Sequence, residues 1–449
     1  VTFLGRFDDN AASAAGTPAA PGAAIVIAGS EQEDTGQNGR SSGEGPMPIH
    51  NYIAGHNFAL PQPGIEGLKS GLRSKSAGKG MTDEQARASG LAEALERYSG
   101  VFMGEEPRRR ARFIDLGEDE VVDPRRCMLF SERQYAEREI WRKRASSFQY
   151  VPLPFDEQAE LDWSPVWSLS EGRQKYLPSS YLYYGHPEGG RFCTADSNGC
   201  AAGNTLEEAI LQGFFELVER DAVAAWWYNR IPRPAVDLDS FDLDYVRALE
   251  TFLARHHREF WVLDLTHDFG IPVMAAITRR IDKPVEDIVF AFGAHFDPRI
   301  ALTRALSEMG QFLPAVLHMP SDGSGEYAYP DPHSLEWWRN ARLADHPYLS
   351  PASELPARKI SDFQNLQSDD IAEEVRCCQQ LVEERGMEIL VLDQTRPDIG
   401  LPVVKVIVPG MRHFWARFAP GRLYDVPVAL GWLDAQKREE DLNPVAMFV

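Results

Sequence analysis

One helical segment recurs along this chain, and its recurrence narrows the folds open to the sequence more than any other feature. Residues Gly80-Met81-Thr82-Asp83-Glu84-Gln85 lead into Ser89-Gly90-Leu91-Ala92-Glu93-Ala94-Leu95-Glu96-Arg97. Thr82 and Gln85 spell a Thr-x-x-Gln capping box, which predicts a helix start, and Asp83 and Glu84 suit the positive end of that helix. At about 100° per residue, Ser89, Glu93, Glu96 and Arg97 share one arc while Leu91 and Leu95 point elsewhere. A second copy, Gly203-Asn204-Thr205-Leu206-Glu207-Glu208 through Gln212-Gly213-Phe214-Phe215-Glu216-Leu217-Val218-Glu219-Arg220, repeats Gly, Thr, Glu, Ala, Gly, Glu, Glu and Arg without a gap. A weaker third copy, Arg304-Ala305-Leu306-Ser307-Glu308-Met309-Gly310-Gln311, sets Arg304 where Ser89 and Gln212 stand and Glu308 and Gln311 where the two glutamates stand.

Carboxylates aimed at one point repel each other and raise their own pKa values unless a cation lies among them. Mg²⁺, a hard ion that prefers oxygen, is the expected neutraliser at Glu93, Glu96, Glu216 and Glu219, and it ordinarily brings phosphate oxygens. Arg97, Arg220 and Arg304 are then positioned to hold phosphate by forked hydrogen bonds, with Ser89, Glu308 and Gln311 completing the polar stripes. A nucleotide bound with Mg²⁺ is the reading. The competing account is three ordinary solvated faces with i, i+4 ion pairs, which three copies in register disfavour. Glu208 stays open between closing a capping box at Thr205 and reaching the nucleotide. Ser76-Ala77-Gly78-Lys79-Gly80 is not a phosphate loop, because Arg73 and Gly80 stand where glycine and a hydroxyl residue are needed. Lys79, just before a helix start, either contacts phosphate or lies in a turn. Asn204 lies in the small-residue loop Ser197-Asn198-Gly199-Cys200-Ala201-Ala202-Gly203, which would let backbone approach a ligand or would serve as a plain strand-to-helix turn. Cys200 is expected to be a packed small residue, since no histidine motif accompanies it.

Residues 1–49 are rich in Ala, Gly, Ser and acidic residues around the apolar island Ala24-Ile25-Val26-Ile27-Ala28. They read as a flexible arm or linker remnant with one strand, followed by a single domain over 50–449. Apolar runs predict strands at Trp163–Ser168, Tyr181–Tyr184, Phe260–Leu265, Pro272–Ile277, Ile288–Phe292, Ile389–Leu392 and Val403–Val408. Irregular alternation with helical segments and hairpin-like spacing indicates an α+β class. A net charge of −21 argues against nucleic acid and anionic membranes as partners. Five cysteines with no CxxC pair, no signal sequence and no long apolar run suit a cytoplasmic protein.

On these motifs, Ser89-x-x-x-Glu93-x-x-Glu96-Arg97, Ser197-Asn198-Gly199 with Gly203-Asn204 through Glu216-x-x-Glu219-Arg220, and Arg304-x-x-x-Glu308, the chain resembles the YcaO family. The likeness is greatest to the azoline-forming cyclodehydratases (D proteins) of thiazole/oxazole-modified peptide pathways, and it extends from about residue 50 to the C-terminus. It implies a YcaO-type fold with three related helices around ATP and Mg²⁺. It also implies that a Cys, Ser or Thr side chain of a ribosomally made precursor peptide attacks the preceding backbone carbonyl. The amide oxygen is then phosphorylated and lost as phosphate, leaving a thiazoline or oxazoline. Azoline-forming members often end in a Pro-x-Pro-x-Pro tail whose terminal carboxylate assists proton transfer. This chain ends Asn443-Pro444-Val445-Ala446-Met447-Phe448-Val449, so Val449 and Pro444 are the catalytic candidates carried over despite the departure. A separate E1-like, leader-binding partner is implied, and a homodimer is left open. Two other readings stand beside this one: a YcaO enzyme using an external nucleophile to make a thioamide or amidine, and a non-catalytic ATP-binding docking subunit.

Overall fold

The computed structural model describes residues 24–29, 48–57, 74–143, 147–317, 327 and 332–448. Among them, twelve strands form three antiparallel sheets. The first joins β1 (Ala24–Gly29), β2 (His50–Asn57) and β3 (Ser74–Gly80) in that order. The largest runs β4 (Arg109–Arg112), β5 (Glu160–Ser168), β11 (Leu390–Asp393), β12 (Val403–Ile407) and β7 (Cys200–Ala202), with β6 (Arg173–Pro178) paired to β5. The third is a meander of β8 (Arg258–Asp264), β9 (Val273–Arg280) and β10 (Val289–Ala294). The apolar island of the expected arm is therefore β1, paired along its length with β2. The rest of that arm lies outside the described residues. Six of the seven predicted strands are present. Tyr181–Tyr184 is not one of them: Ser179–Leu182 is a short helix beginning just after Pro178. Its residues are all buried, so the apolar run reflects burial and carries no information about period.

Each sheet carries one of the three repeated helices. Helix α1 (Asp83–Ser99) lies on β3 and β2, α2 (Leu206–Asn229) on β12 and β7, and α3 (Pro298–Phe312) on β10 and β9. The capping residues act as the sequence predicts. Thr82 accepts a hydrogen bond from the Gln85 amide, and Thr205 accepts one from the Glu208 amide, both at 3.2 Å. In α3 the N-cap role passes to Asp297, with Pro298 at the first helical position.

Helix α2 is the spine of the core. From Ala209 to Asn229 every residue is buried except Gln212, Glu216, Glu219 and Arg220. Its C-terminal half is aromatic: Trp226 and Trp227 meet edge on and pack against Tyr348, Phe292 and Phe290. Small residues allow the helices to lie close to their sheets. A Cβ added to Gly213 would sit 2.6 Å from the Gly199 carbonyl oxygen and 2.9 Å from Val406 Cγ2. Gly213→Ala should therefore destabilise the protein by about 2–3 kcal/mol through overpacking. Chemical denaturation would show this as a lowered midpoint, and an unchanged midpoint would mean that the two elements are not held at this spacing.

Candidate functional site

The polar stripes of the three helices face one another. On α1, Arg97 pairs with Glu93 and Glu96, at 3.3 Å in each case, and donates to the Tyr184 hydroxyl. On α2, Arg220 pairs with Glu216 and contacts His413 Nε2 at 3.1 Å. The two first glutamates are held alike: Glu93 accepts from the Ala77 amide at 3.2 Å and Glu216 from the Gly199 amide at 3.1 Å. In both cases the donor is the strand segment beneath the helix. On α3, Arg304 donates to Gln212 of α2 and to the Ala294 carbonyl, while Glu308 pairs with Lys79 of β3. The contacts thus close a ring from β3 through α3 to α2, and the Glu96–Glu216 field links α2 back to α1.

This ring is a cleft. Its carboxylate side chains retain between 13% and 31% of their exposure although they stand on otherwise packed helix faces. The electrostatics show what the ring lacks. Burial, reinforced by Glu216 and Glu93 and only partly offset by Arg97, pushes the Glu96 carboxyl up to about 8. Burial and Glu308 push Glu219 up to about 8 as well. Burial also raises Glu216, against the pull of Arg220 and Arg97. Four cations are already present, yet Glu96, Glu216 and Glu219 still resist ionisation. A divalent cation bound by oxygen would relieve that resistance at Glu96, Glu216 and Glu219, the carboxyls that are raised. Arg97, Arg220, Arg304 and Lys79 line the same cleft with donors suited to phosphate.

Not every expected residue joins this ring. Ser89 lies one turn before Glu93 on the same stripe, and Gln311 one turn after Glu308. Asn204 and Glu208 bond each other at the start of α2, where the Glu208 carboxylate accepts from both the Asn204 amide and its side chain. Glu208 thus bonds the residue before the N-cap, two turns before Glu216. Pro444 is exposed, and the next residue's carbonyl accepts from Trp227 Nε1 at 2.7 Å. Trp227 stands eight residues past Glu219, about 12 Å along the helix, so Pro444 is not brought to the glutamates. Val449 lies outside the described residues.

Several residues that the motifs did not single out complete the wall. Lys405, in the middle of β12, is fully buried and donates to the Asp196 and Asn198 carbonyls at 2.7 and 3.1 Å. Burial lowers its pKa, but Cys200 and Asp196 more than offset that and hold it raised. Cys200 is itself buried, its thiol pushed up to about 11, as suits a packed residue. His413 is kept neutral by burial and by Arg220, and it stacks on Trp415 at 3.9 Å. A lysine within the apolar run Val403–Val408 was the visible signal for Lys405. His413 and Asp196 carried none, because only the fold brings His413 to Arg220 and Asp196 to His413 and Lys405.

The family model described as YcaO cyclodehydratase, ATP- and Mg²⁺-binding, matches residues 77–412. The chain belongs to the YcaO cyclodehydratase family. ATP and Mg²⁺ are accordingly its cofactors. An uncharacterized protein of Methanothermobacter thermautotrophicus is 30% identical over 367 residues, which are 80% of this chain and 86% of that protein. Among solved structures, a heterocyclase in complex with substrate and cofactor is 48% identical, with a TM-score of 0.84 over 90% of this chain and 53% of that one. The heterocyclase TruD is 49% identical, with a TM-score of 0.74 over 81% of this chain and 50% of that one. This YcaO chain thus spans about half the length of both heterocyclase chains. Among the described residues no helix is long and apolar enough to cross a membrane.

The raised carboxyls make a pH prediction. A group whose folded value is about 8 and whose ordinary value is 4.5 holds its proton more tightly when folded, so ligand-free protein loses stability as pH rises between those values. Glu96→Gln should match the parent near pH 4.5 and exceed it above pH 8 by roughly 1–3 kcal/mol in urea denaturation. Parallel pH profiles for the two proteins would overturn the assignment.

Proposed function

We propose that this chain catalyses ATP-dependent cyclodehydration of Cys, Ser or Thr in a ribosomally made precursor peptide, giving thiazoline or oxazoline. The observation that carries the reading is the stripe on α2. Gln212, Glu216, Glu219 and Arg220 alone are open on a helix otherwise buried from Ala209 to Asn229, and they face matching stripes on α1 and α3. A solvated surface helix would not bury its remaining faces, and a decayed site would not keep carboxylates that oppose their own ionisation. The likeness to two heterocyclases, one of them in complex with substrate and cofactor, supports ring formation as the reaction.

In this reading Glu93, Glu96, Glu216 and Glu219 hold Mg²⁺, while Arg97, Arg220, Arg304 and Lys79 orient the phosphates. Bound ATP supplies the phosphoryl group that turns a backbone amide oxygen into a leaving group. The protein's part is to hold that oxygen's developing charge with preorganised donors in a cleft that limits water. His413 fixes the Arg220 guanidinium from one side, and the Phe414 ring lies under it, with 4.5 Å from guanidinium carbon to ring centre. A leader-binding partner presents the peptide, and the end of the tail at Val449 accepts the proton released by the attacking side chain.

Mass analysis of the genomically adjacent short peptide, incubated with this protein, its partner and Mg·ATP, tests the proposal. Loss of one water per modified residue is expected, whereas a gain from sulfur replacing oxygen would assign thioamide formation. Binding of ATP without peptide-stimulated phosphate release would leave only a docking subunit. Glu219→Ala and Arg220→Ala should keep the circular dichroism of the parent and lose ATP hydrolysis. Full activity in both would remove the residues from the site.

A further inference from the structure

A second cavity, of about 530 Å³, lies past the C-terminal end of α2, and Arg233, Arg358, Asp264, Trp432, Leu355 and Pro356 are among its walls. Arg233 is 93% buried by area, since only 7% of its surface is exposed. Its Nε donates to the Asp264 carbonyl oxygen at 2.9 Å, and its guanidinium lies 3.8 Å from the centre of the Trp432 ring. The four N–H groups on its terminal nitrogens have no hydrogen-bond or ion-pair partner among the described residues. A cation so enclosed is ordinarily paired. Burial instead holds its pKa down to about 10. Arg358 repeats the shortage. Its Nε is sealed from solvent without a hydrogen-bond partner, 3.5 Å from Asp264 Oδ2, and its Nη2 reaches only the Asp362 carbonyl at 2.8 Å.

Packing does not account for these donors. A structural arginine satisfies its terminal nitrogens on carbonyls, as buried Arg412 does on Arg417, Ala419 and Pro420 although its Nε too is unpartnered. Arg233 uses one of its five N–H groups in this way and presents the rest at a cavity wall. The fork calls for a planar oxyanion. Two guanidiniums against the Asp264 carboxylate leave one positive charge on the inner wall, and Glu354 stands at the exposed rim. That balance suits a monoanion better than a phosphate dianion. Apart from Thr266 and Gly431, the remaining walls, Ile231, Pro232, Pro234, Leu355 and Pro356, are apolar, and the cavity far exceeds what a carboxylate alone would fill.

We infer that this cavity binds a peptide carboxylate, with the carboxylate forked on Arg233 and Arg358 and the adjoining apolar residue seated against Leu355 and Pro356. The carboxylate comes either from a chain terminus or from an acidic side chain. The site is separate from the glutamate cleft, because Arg233 lies beyond the end of α2 while Arg220 lies in its middle.

Isothermal titration of the full chain with three probes tests this: acetyl-Pro-Leu with a free C-terminus, acetyl-Pro-Leu-Asp amide, and acetyl-Pro-Leu amide. Either or both of the first two should bind, which also identifies the source of the carboxylate, and the third should not. Binding should weaken at least tenfold in Arg358→Gln and in Arg233→Lys, and should persist in the exposed control Arg438→Gln. Arg358 is half exposed, so its variant reports on the site even where an Arg233 variant fails to fold. ATP hydrolysis without peptide should stay unchanged in Arg358→Gln. Binding of neither carboxylate probe, equal binding of the amide, equal affinity in both variants, or tighter binding of inorganic phosphate would each overturn the inference.

Discussion

Gly78 of β3 lies so close to α1 that a Cβ on it would fall 2.0 Å from the Ala86 carbonyl oxygen, and Gly293 of β10 stands in the same relation to Ala301 of α3, at 2.4 Å. With the Gly199–Gly213 approach at α2, all three helices sit on their strands at the shortest backbone spacing that side chains permit. The rest of the site depends on this closeness. The amides of Ala77 and Gly199 can reach Glu93 and Glu216 only because no side chain stands between strand and helix. In αL conformation, at φ of 75°, Gly199 also turns its own amide toward Glu216 at the strand's start, which a β-branched residue could not do at comparable cost.

Once the helices are so placed, their charges are in conflict. Arg97 and Arg220 answer the glutamates within each helix, but Glu96 faces Glu216 and Glu219 faces Glu308 across the gap. Burial makes each of these oppositions more costly than it would be in water. Glu96, Glu216 and Glu219 therefore resist ionisation, and any cation bound among them would return the stability given up there. The buried remainder of α2, from its alanines to Trp226 and Trp227, supplies the packing that keeps the arrangement from relaxing.

Much of this was readable along the chain, for identifiable reasons. A cassette repeated in register fixes helix, cap and stripe together, since Thr82 and Thr205 start their helices at the same distance from the glutamate pair. It could not show that the stripes meet, because Gln212 and Arg304 are 92 residues apart and Lys79 and Glu308 are 229 apart. Glu208 divided between two readings because one local pattern serves both a cap and a ligand; its carboxylate accepts from the Asn204 amide, one residue before the N-cap. Tyr181–Tyr184 misled because an apolar run of four reports burial in helix and strand alike. His413 and Asp196 were silent because their partners are non-local.

The tail shows how a departure from a sequence pattern can have a local cause. A Pro-x-Pro-x-Pro ending has few amides to offer and relies on its fixed backbone for direction. Here the Val445 amide donates to Asn443 Oδ1 at 3.1 Å and the Met447 amide to the Tyr228 hydroxyl at 3.3 Å. Proline at either position would remove a donor in use. The carbonyls are engaged too, Val445 by Trp227 Nε1 and Met447 by Gln149 Nε2. Met447 is fully buried, and Phe448 packs on Phe290 and Trp337. Hydrogen bonds and aromatic contacts thus impose the direction that prolines would otherwise impose. Because Trp227 and Tyr228 belong to α2, the tail is tied to the same helix that carries Glu216 and Glu219. Loss of the prolines is therefore met locally, because the packing of the tail on α2 does for its described residues what a stiff backbone would otherwise do.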